Sequence, residues 1–178
     1  MANKDAANGF QIMGRIGGGS LRLRKYSLAA ANTAIGKNML VQMTNAGLVD
    51  IGATSMATTL LGVAAHYCAA SKGGTSDPYI LVYDQPDLVM HAQTDDGTGT
   101  GTAQTAIGLN AEIIVGGVNA YTFVSTGEID EGSVTDTSTL PLKIIGLYPD
   151  PKNAFGEFNR LIFTFNHHMY KSVGVTGV

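Results

Sequence analysis

The chain has 178 residues, 44% of them hydrophobic and only 14% charged. It is long enough to bury a core without metal or disulfide support, and its composition is not that of a disordered polyelectrolyte. Its one cysteine, Cys68, excludes an intrachain disulfide and fits synthesis in a reducing cytoplasm.

The net charge of −3 hides a segregation. Residues 1–37 carry Lys4, Arg15, Arg22, Arg24, Lys25 and Lys37 against Asp5 alone. Residues 73–142 carry Asp77, Asp84, Asp87, Asp95, Asp96, Glu112, Glu128, Asp130, Glu131 and Asp136, with neither Lys nor Arg. A basic leader on an acidic body suggests two regions that face different neighbours. The leader has few aromatic residues to stack bases, which argues against nucleic acid as its partner. It fits equally well along an acidic protein surface, including that of a second copy. No run reaches the roughly 20 apolar residues of a membrane helix, and the first ten residues hold no apolar signal segment.

Gly14, Gly17, Gly18, Gly19 and Ser20 interrupt regular structure, so residues 1–36 are expected to form an extended N-terminal arm. Within it, Leu21-Arg22-Leu23-Arg24 alternates like a strand made against a partner, and 27–34 reads as a helical turn. The β-rich body, 37–178, opens with the period-2 pattern of Met39, Val41 and Met43. Asn45-Ala46-Gly47 then turns the chain into 48–52, predicting a hairpin. Residues 59–69 place Leu61, Val63, Ala65 and Tyr67 on one face of a strand, with a helix as competitor because alanine is frequent.

Residues 79–84 and 87–93 read as two short strands around a Pro86 turn. A Thr/Gly-rich loop, 95–105, follows and is expected to be exposed. Further strands are predicted at 112–115, 121–126 and 142–147. The clearest, 160–168, puts Leu161, Phe163 and Phe165 on one side and Arg160, Thr164, Asn166 and His168 on the other. Many short strands between turns predict an all-β fold, a compact barrel, β-tulip or sandwich.

No motif supplies chemistry. Gly36-Lys37 is followed by Asn38 where a phosphate loop needs Ser or Thr, and Gly14, Gly17 and Gly19 follow no predicted strand, so no nucleotide fingerprint is met. Counting twelve residues from Asp95 or Asp96 reaches Ala106 or Ile107, neither of which can close a calcium loop. His167 and His168 point to opposite faces of a strand and cannot share one metal; His66 or His91 would have to join from elsewhere. There is no G-x-S-x-G elbow, and Cys68 in an alanine-rich stretch reads as a buried thiol. The expectation is no enzyme, no catalytic residue, no metal and no cofactor.

One resemblance runs through the chain. Met1-Ala2-Asn3-Lys4-Asp5-Ala6 with Gly9-Phe10, the Tyr/Val-rich stretch 79–93 with its Asp84-Gln85-Pro86-Asp87 turn, and Gly108-Leu109-Asn110-Ala111 form its first part. Ser125 with Glu128-Ile129-Asp130, residues 140–147, Asn153-Ala154 with Gly156, and the ending Asn166-His167-His168 form the rest. In these blocks the chain resembles the head decoration (capsid cement) proteins of tailed bacteriophages, while residues 12–37 depart from that pattern. The resemblance implies a β-rich virion protein made in the bacterial cytoplasm and added to the outside of the expanded head. It would act as a homotrimer on the major capsid protein, with no nucleic acid and no membrane as partner, and its N-terminal segment would lie along the shell. On this reading the capsid contacts expected are Lys4, Phe10, Arg15, Arg22 and Arg24 of the N-terminal leader. Phe163 and Phe165 are candidates for the trimer seam, with core packing as their competing reading. The alternative function is a phage surface adhesion module for a receptor or carbohydrate, against which the absence of Trp counts. A hydrolase using a His/carboxylate site stands third.

Overall fold

Alternating hydrophobicity gives the described residues twelve strands. The computed structural model describes residues 3–30, 32–53, 59–71, 73, 78–95, 99 and 101–171. The strands are β1 (Gln11–Arg15), β2 (Leu23–Ser27), β3 (Leu40–Met43), β4 (Val49–Ile51), β5 (Leu60–Ala64), β6 (Tyr79–Tyr83), β7 (Leu88–Gln93), β8 (Asn110–Ala111), β9 (Ile113–Ile114), β10 (Glu128–Ile129), β11 (Leu142–Leu147) and β12 (Arg160–Phe165). They build one five-stranded sheet in the order β1-β7-β12-β11-β8, a second in the order β2-β6-β5-β3-β4, and a β9-β10 ribbon. The strand ladders are antiparallel. The all-β fold expected from the sequence is the fold observed.

The two sheets share one core, in the manner of a sandwich. Leu40, Leu60 and Val63 of the second sheet pack with Leu88, Met90, Leu142, Ile144, Leu161, Phe163 and Phe165 of the first. A second cluster covers the other face of the second sheet, joining Val41, Met43, Leu61, Ala64, Ile80 and Val82 to Leu28, Ile35, Met39 and Cys68. That sheet is therefore buried on both faces. The β3–β4 hairpin forms as predicted.

Irregularities in register explain where the simple alternation failed. Val41 pairs with Gly62 but Gln42 pairs with Leu60, so Leu61 is the extra residue of a bulge. A bulge shifts which face each side chain meets. Leu61 and Val63, expected on one face, thus enter different cores, and all five residues of β5 are buried. Gly62 is required there: at φ +155° a Cβ would sit 2.0 Å from the Tyr83 carbonyl oxygen. The same device puts Met13 and Ile145 outside, at bulges of β1 and β11.

Several expectations need correction. The two strands expected at 79–84 and 87–93 do form, as β6 and β7, but they lie in different sheets and the Gln85-Pro86 turn carries the chain between them. Residues 121–126 form no strand: Tyr121 and Thr122 lie in a turn, and Val124 and Ser125 make isolated bridges. The described part of 27–34 is not helical. In the Thr/Gly loop, residues 96–98 and 100 lie outside the described residues, but Thr102 is buried and bridges Gly156. The described residues of 1–36 (3–30 and 32–36) include β1 and β2, which are bonded into the two sheets. β1 pairs with β7, β2 pairs with β6, and the Phe10 ring is fully buried.

Candidate interaction surface

β1 and β2 are the outer strands of the two sheets, and residues 16–22 carry the chain from one to the other. Along a strand, alternate side chains share a face, so Arg22, Arg24 and Tyr26 point the same way. All three converge on Asp84, which follows β6 and whose side chain is wholly buried. Arg22 donates to Asp84 Oδ1 from Nε at 3.2 Å and Nη2 at 3.1 Å. Arg24 Nε lies 3.3 Å from Oδ2, and the Tyr26 hydroxyl donates to Oδ2 at 2.6 Å. Beside them, Arg15 forms a bidentate pair with Asp87, Nε to Oδ1 at 3.0 Å and Nη2 to Oδ2 at 2.9 Å, the geometry a guanidinium fork favours.

Arg15, Arg22 and Arg24 of the basic leader are thus paired with the acidic body within the molecule, across 60 to 72 residues of chain. The pairing leaves a surplus, because two guanidiniums share one carboxylate and both stay 48% exposed. Burial and the bond to Asp84 push the Tyr26 phenol up, so it remains a donor. The bond to Tyr26, followed by the Asp84 charge, pushes Arg24 up as well. Arg24 also lies 6.0 Å from the centre of the Tyr170 ring, within cation–π range, and the Tyr26 and Tyr170 hydroxyls are 3.1 Å apart.

Two exposed apolar side chains lie beside this cluster, Ile16 at 64% and Tyr170 at 47% exposure, whereas Leu21 and Leu23 alternate with the arginines and face the other way. An open groove of about 410 Å³ is lined by Ile16, Gly17, Pro86, Asp87, Tyr170 and Lys171. Large apolar groups next to half-free arginines are what protein contact surfaces are made of.

Of the residues singled out in the sequence, Arg15, Arg22 and Arg24 are brought together here. Lys4 is not; it lines a separate cavity with Lys152 and Arg160. Phe10, Phe163 and Phe165 are all fully buried. Phe10 meets Phe163 edge-to-face, with centroids 5.7 Å apart. None of the three can reach a partner from the folded chain, so Phe10 as a capsid contact and Phe163 and Phe165 as a trimer seam give way to core packing. Asp84, Tyr26, Ile16 and Tyr170 were not singled out. The signal available for Tyr26 was the i, i+2, i+4 spacing of Arg22, Arg24 and Tyr26.

The histidines are dispersed into separate roles. His66 Nε2 accepts from the Leu81 amide at 3.2 Å. His91 stacks on Tyr148, and His167 Nε2 bonds the Ser138 carbonyl. Burial pushes His168 down to about 4. Among the described residues no group of three or more His, Cys, Asp or Glu is placed to hold a metal ion, and no helix is long and apolar enough to cross a membrane. What the geometry offers is a surface for binding.

No family model matches the chain, and neither a curated protein nor a solved structure matches it.

Proposed function

We propose that this chain is a structural virion protein, a capsid decoration (cement) protein that binds the outside of the expanded head of a tailed bacteriophage as a homotrimer. The observation that carries the reading is the rim at the β1–β2 crossover, where exposed Ile16 and Tyr170 lie beside Arg22 and Arg24 held by buried Asp84. The sequence resemblance supplies the kind of partner: the major capsid protein. Two outer strands lie beside this rim, and an outer strand presents backbone groups that a partner strand can pair with. Burying the apolar rim adds affinity, while the arginines select an acidic counterpart and fix orientation. Weak contacts repeated over a lattice of copies then resist internal pressure by multivalency. The protein performs no reaction and works on the virion exterior.

The test is direct. Purified protein should run as a trimer in light scattering and saturate expanded, undecorated shells. Ile16→Asp with Tyr170→Ala should abolish saturation without lowering the melting temperature by more than a few degrees. Deleting residues 1–24 is not a usable test, because it removes Phe10 and β1 from the folded body. A stable monomer that ignores shells, or a double variant that saturates them as the parent does, refutes the proposal. Specific capture of a glycan in an array would favour the adhesion alternative.

A further inference from the structure

Three cations without a carboxylate partner among the described residues meet at one place. Lys4, Lys152 and Arg160 line a cavity of about 170 Å³ whose walls also include Asn3, Asn153 and Phe158. Asp150 lines it too, but one oxygen of its carboxylate accepts the Lys152 amide at 2.9 Å within its own turn. The net charge of the lining is therefore positive.

The cavity is held by bonds between distant segments. Asn153 donates to the carbonyls of Tyr148 and Arg160 and accepts the Arg160 amide, each at 2.8 Å. That closes the 148–160 loop and fixes Arg160 at the start of β12. Asn3 donates to the carbonyls of Ala154 and Glu157, both at 2.8 Å, and accepts the Ala154 amide at 3.1 Å. That pins the N-terminal segment across the same loop and delivers Lys4 to the cavity. Phe158 takes φ +50°, a conformation that bulky residues rarely adopt and that persists only where the surroundings enforce it.

We propose that this cavity is a binding site for a small oxyanion of the phosphate or sulfate class, held by Lys4, Lys152 and Arg160. Three like charges gathered against the single Asp150 carboxylate leave an excess of positive charge, and a multivalent anion relieves their mutual repulsion. The Arg160 guanidinium offers the planar fork that matches two oxygens of such an anion, and the two ammonium groups add point charges. A bound anion would also tie the N-terminal segment to the 148–160 loop through Lys4.

A reporter sits next to the site. His91 stacks on Tyr148 with centroids 4.1 Å apart. Its pKa is lowered by burial and, secondarily, by the Arg160 cation. An anion on Arg160 offsets that cation and raises the His91 pKa. The experiment follows the His91 imidazole by NMR while sodium sulfate, sodium phosphate or phenyl phosphate is added at constant ionic strength, with sodium chloride as reference. A saturable upward shift of the His91 pKa is expected with sulfate and phosphate. A response to phenyl phosphate as well would show that an esterified group is accepted; sulfate and phosphate alone would mean a free ion. Lys152→Gln, at an exposed position, and Arg160→Gln should each weaken binding about tenfold or more, and Arg160→Gln should remove the His91 shift. The proposal fails if sulfate and phosphate move His91 no more than chloride does. It fails equally if a folded Lys4→Gln, Lys152→Gln, Arg160→Gln triple variant saturates at the parent concentration.

Discussion

Phe10 separates a docked leader from a free one. Its ring is fully buried and packs edge-to-face on Phe163 at 5.7 Å. A Cβ placed on Gly127 would stand 2.8 Å from the Phe10 ring, so the pocket is tightly lined, and its backbone wall has little room to collapse into a void. Phe10→Ala should therefore cost about 3–5 kcal/mol, the range for truncating a buried phenylalanine, against a total stability of roughly 5–15 kcal/mol for a native domain. With a urea m-value of about 2 kcal/mol/M, the unfolding midpoint should fall by roughly 2 M. The assay is urea denaturation of the isolated protein followed by far-UV circular dichroism. A double-mutant cycle with Phe163→Ala should return a coupling of about 1 kcal/mol for the edge-to-face pair. A loss under about 1 kcal/mol, with no coupling to Phe163, would mean that Phe10 is not a core residue and that residues 1–10 lie free in solution.

Three other outcomes follow from named contacts. Asp84→Asn leaves Arg22 and Arg24 facing a neutral group and should cost about 2 kcal/mol, below the usual cost of breaking a buried pair because both guanidiniums stay half in water; thermal melts in low and high salt read this directly. Glu128 is raised from its ordinary 4.5 to about 7 by burial and then by Asp5 and Asp95, while the Gln93 amide donates to both Asp5 and Glu128. The folded state thus holds this proton more tightly than the unfolded one, so stability is full below about pH 4.5 and is lost as pH rises to about 7. At about 1.4 kcal/mol per pH unit the unscreened loss is roughly 3 kcal/mol, and solvent around the half-exposed carboxyl reduces it to about 1 kcal/mol. Glu128→Gln should therefore be the more stable protein at pH 8 and match the parent at pH 4; no gain at pH 8 would rule out the carboxyl cluster as the cause. Gly62→Ala drives a methyl into the Tyr83 carbonyl and should cost more than about 2 kcal/mol, measured by the same denaturation.

The rim and the cavity were legible to different degrees. The charge segregation announced that basic and acidic stretches belong to different neighbourhoods, and Arg15, Arg22 and Arg24 were marked by it. That their counter-charges would be Asp84 and Asp87 of the same chain was not legible, because those partners are 60 to 72 residues away and only the β2–β6 and β1–β7 pairings bring them near. Lys4, Lys152 and Arg160 come from both ends of the sequence and share no local pattern. Phe163 and Phe165 alternated as core residues do; Phe10 had too short a context to reveal that it joins them.

By itself the sequence determined the all-β character, the β3–β4 hairpin and the inward face of β12, because a strand's period of two is written in neighbouring residues. The tertiary structure alone decided that β6 and β7 part into different sheets, that the leader supplies an outer strand to each, and which side Leu61 faces. Pairing partners and bulges depend on groups far apart in the chain, whose hydrogen bonds and burial exist only once both sheets have closed over their common core.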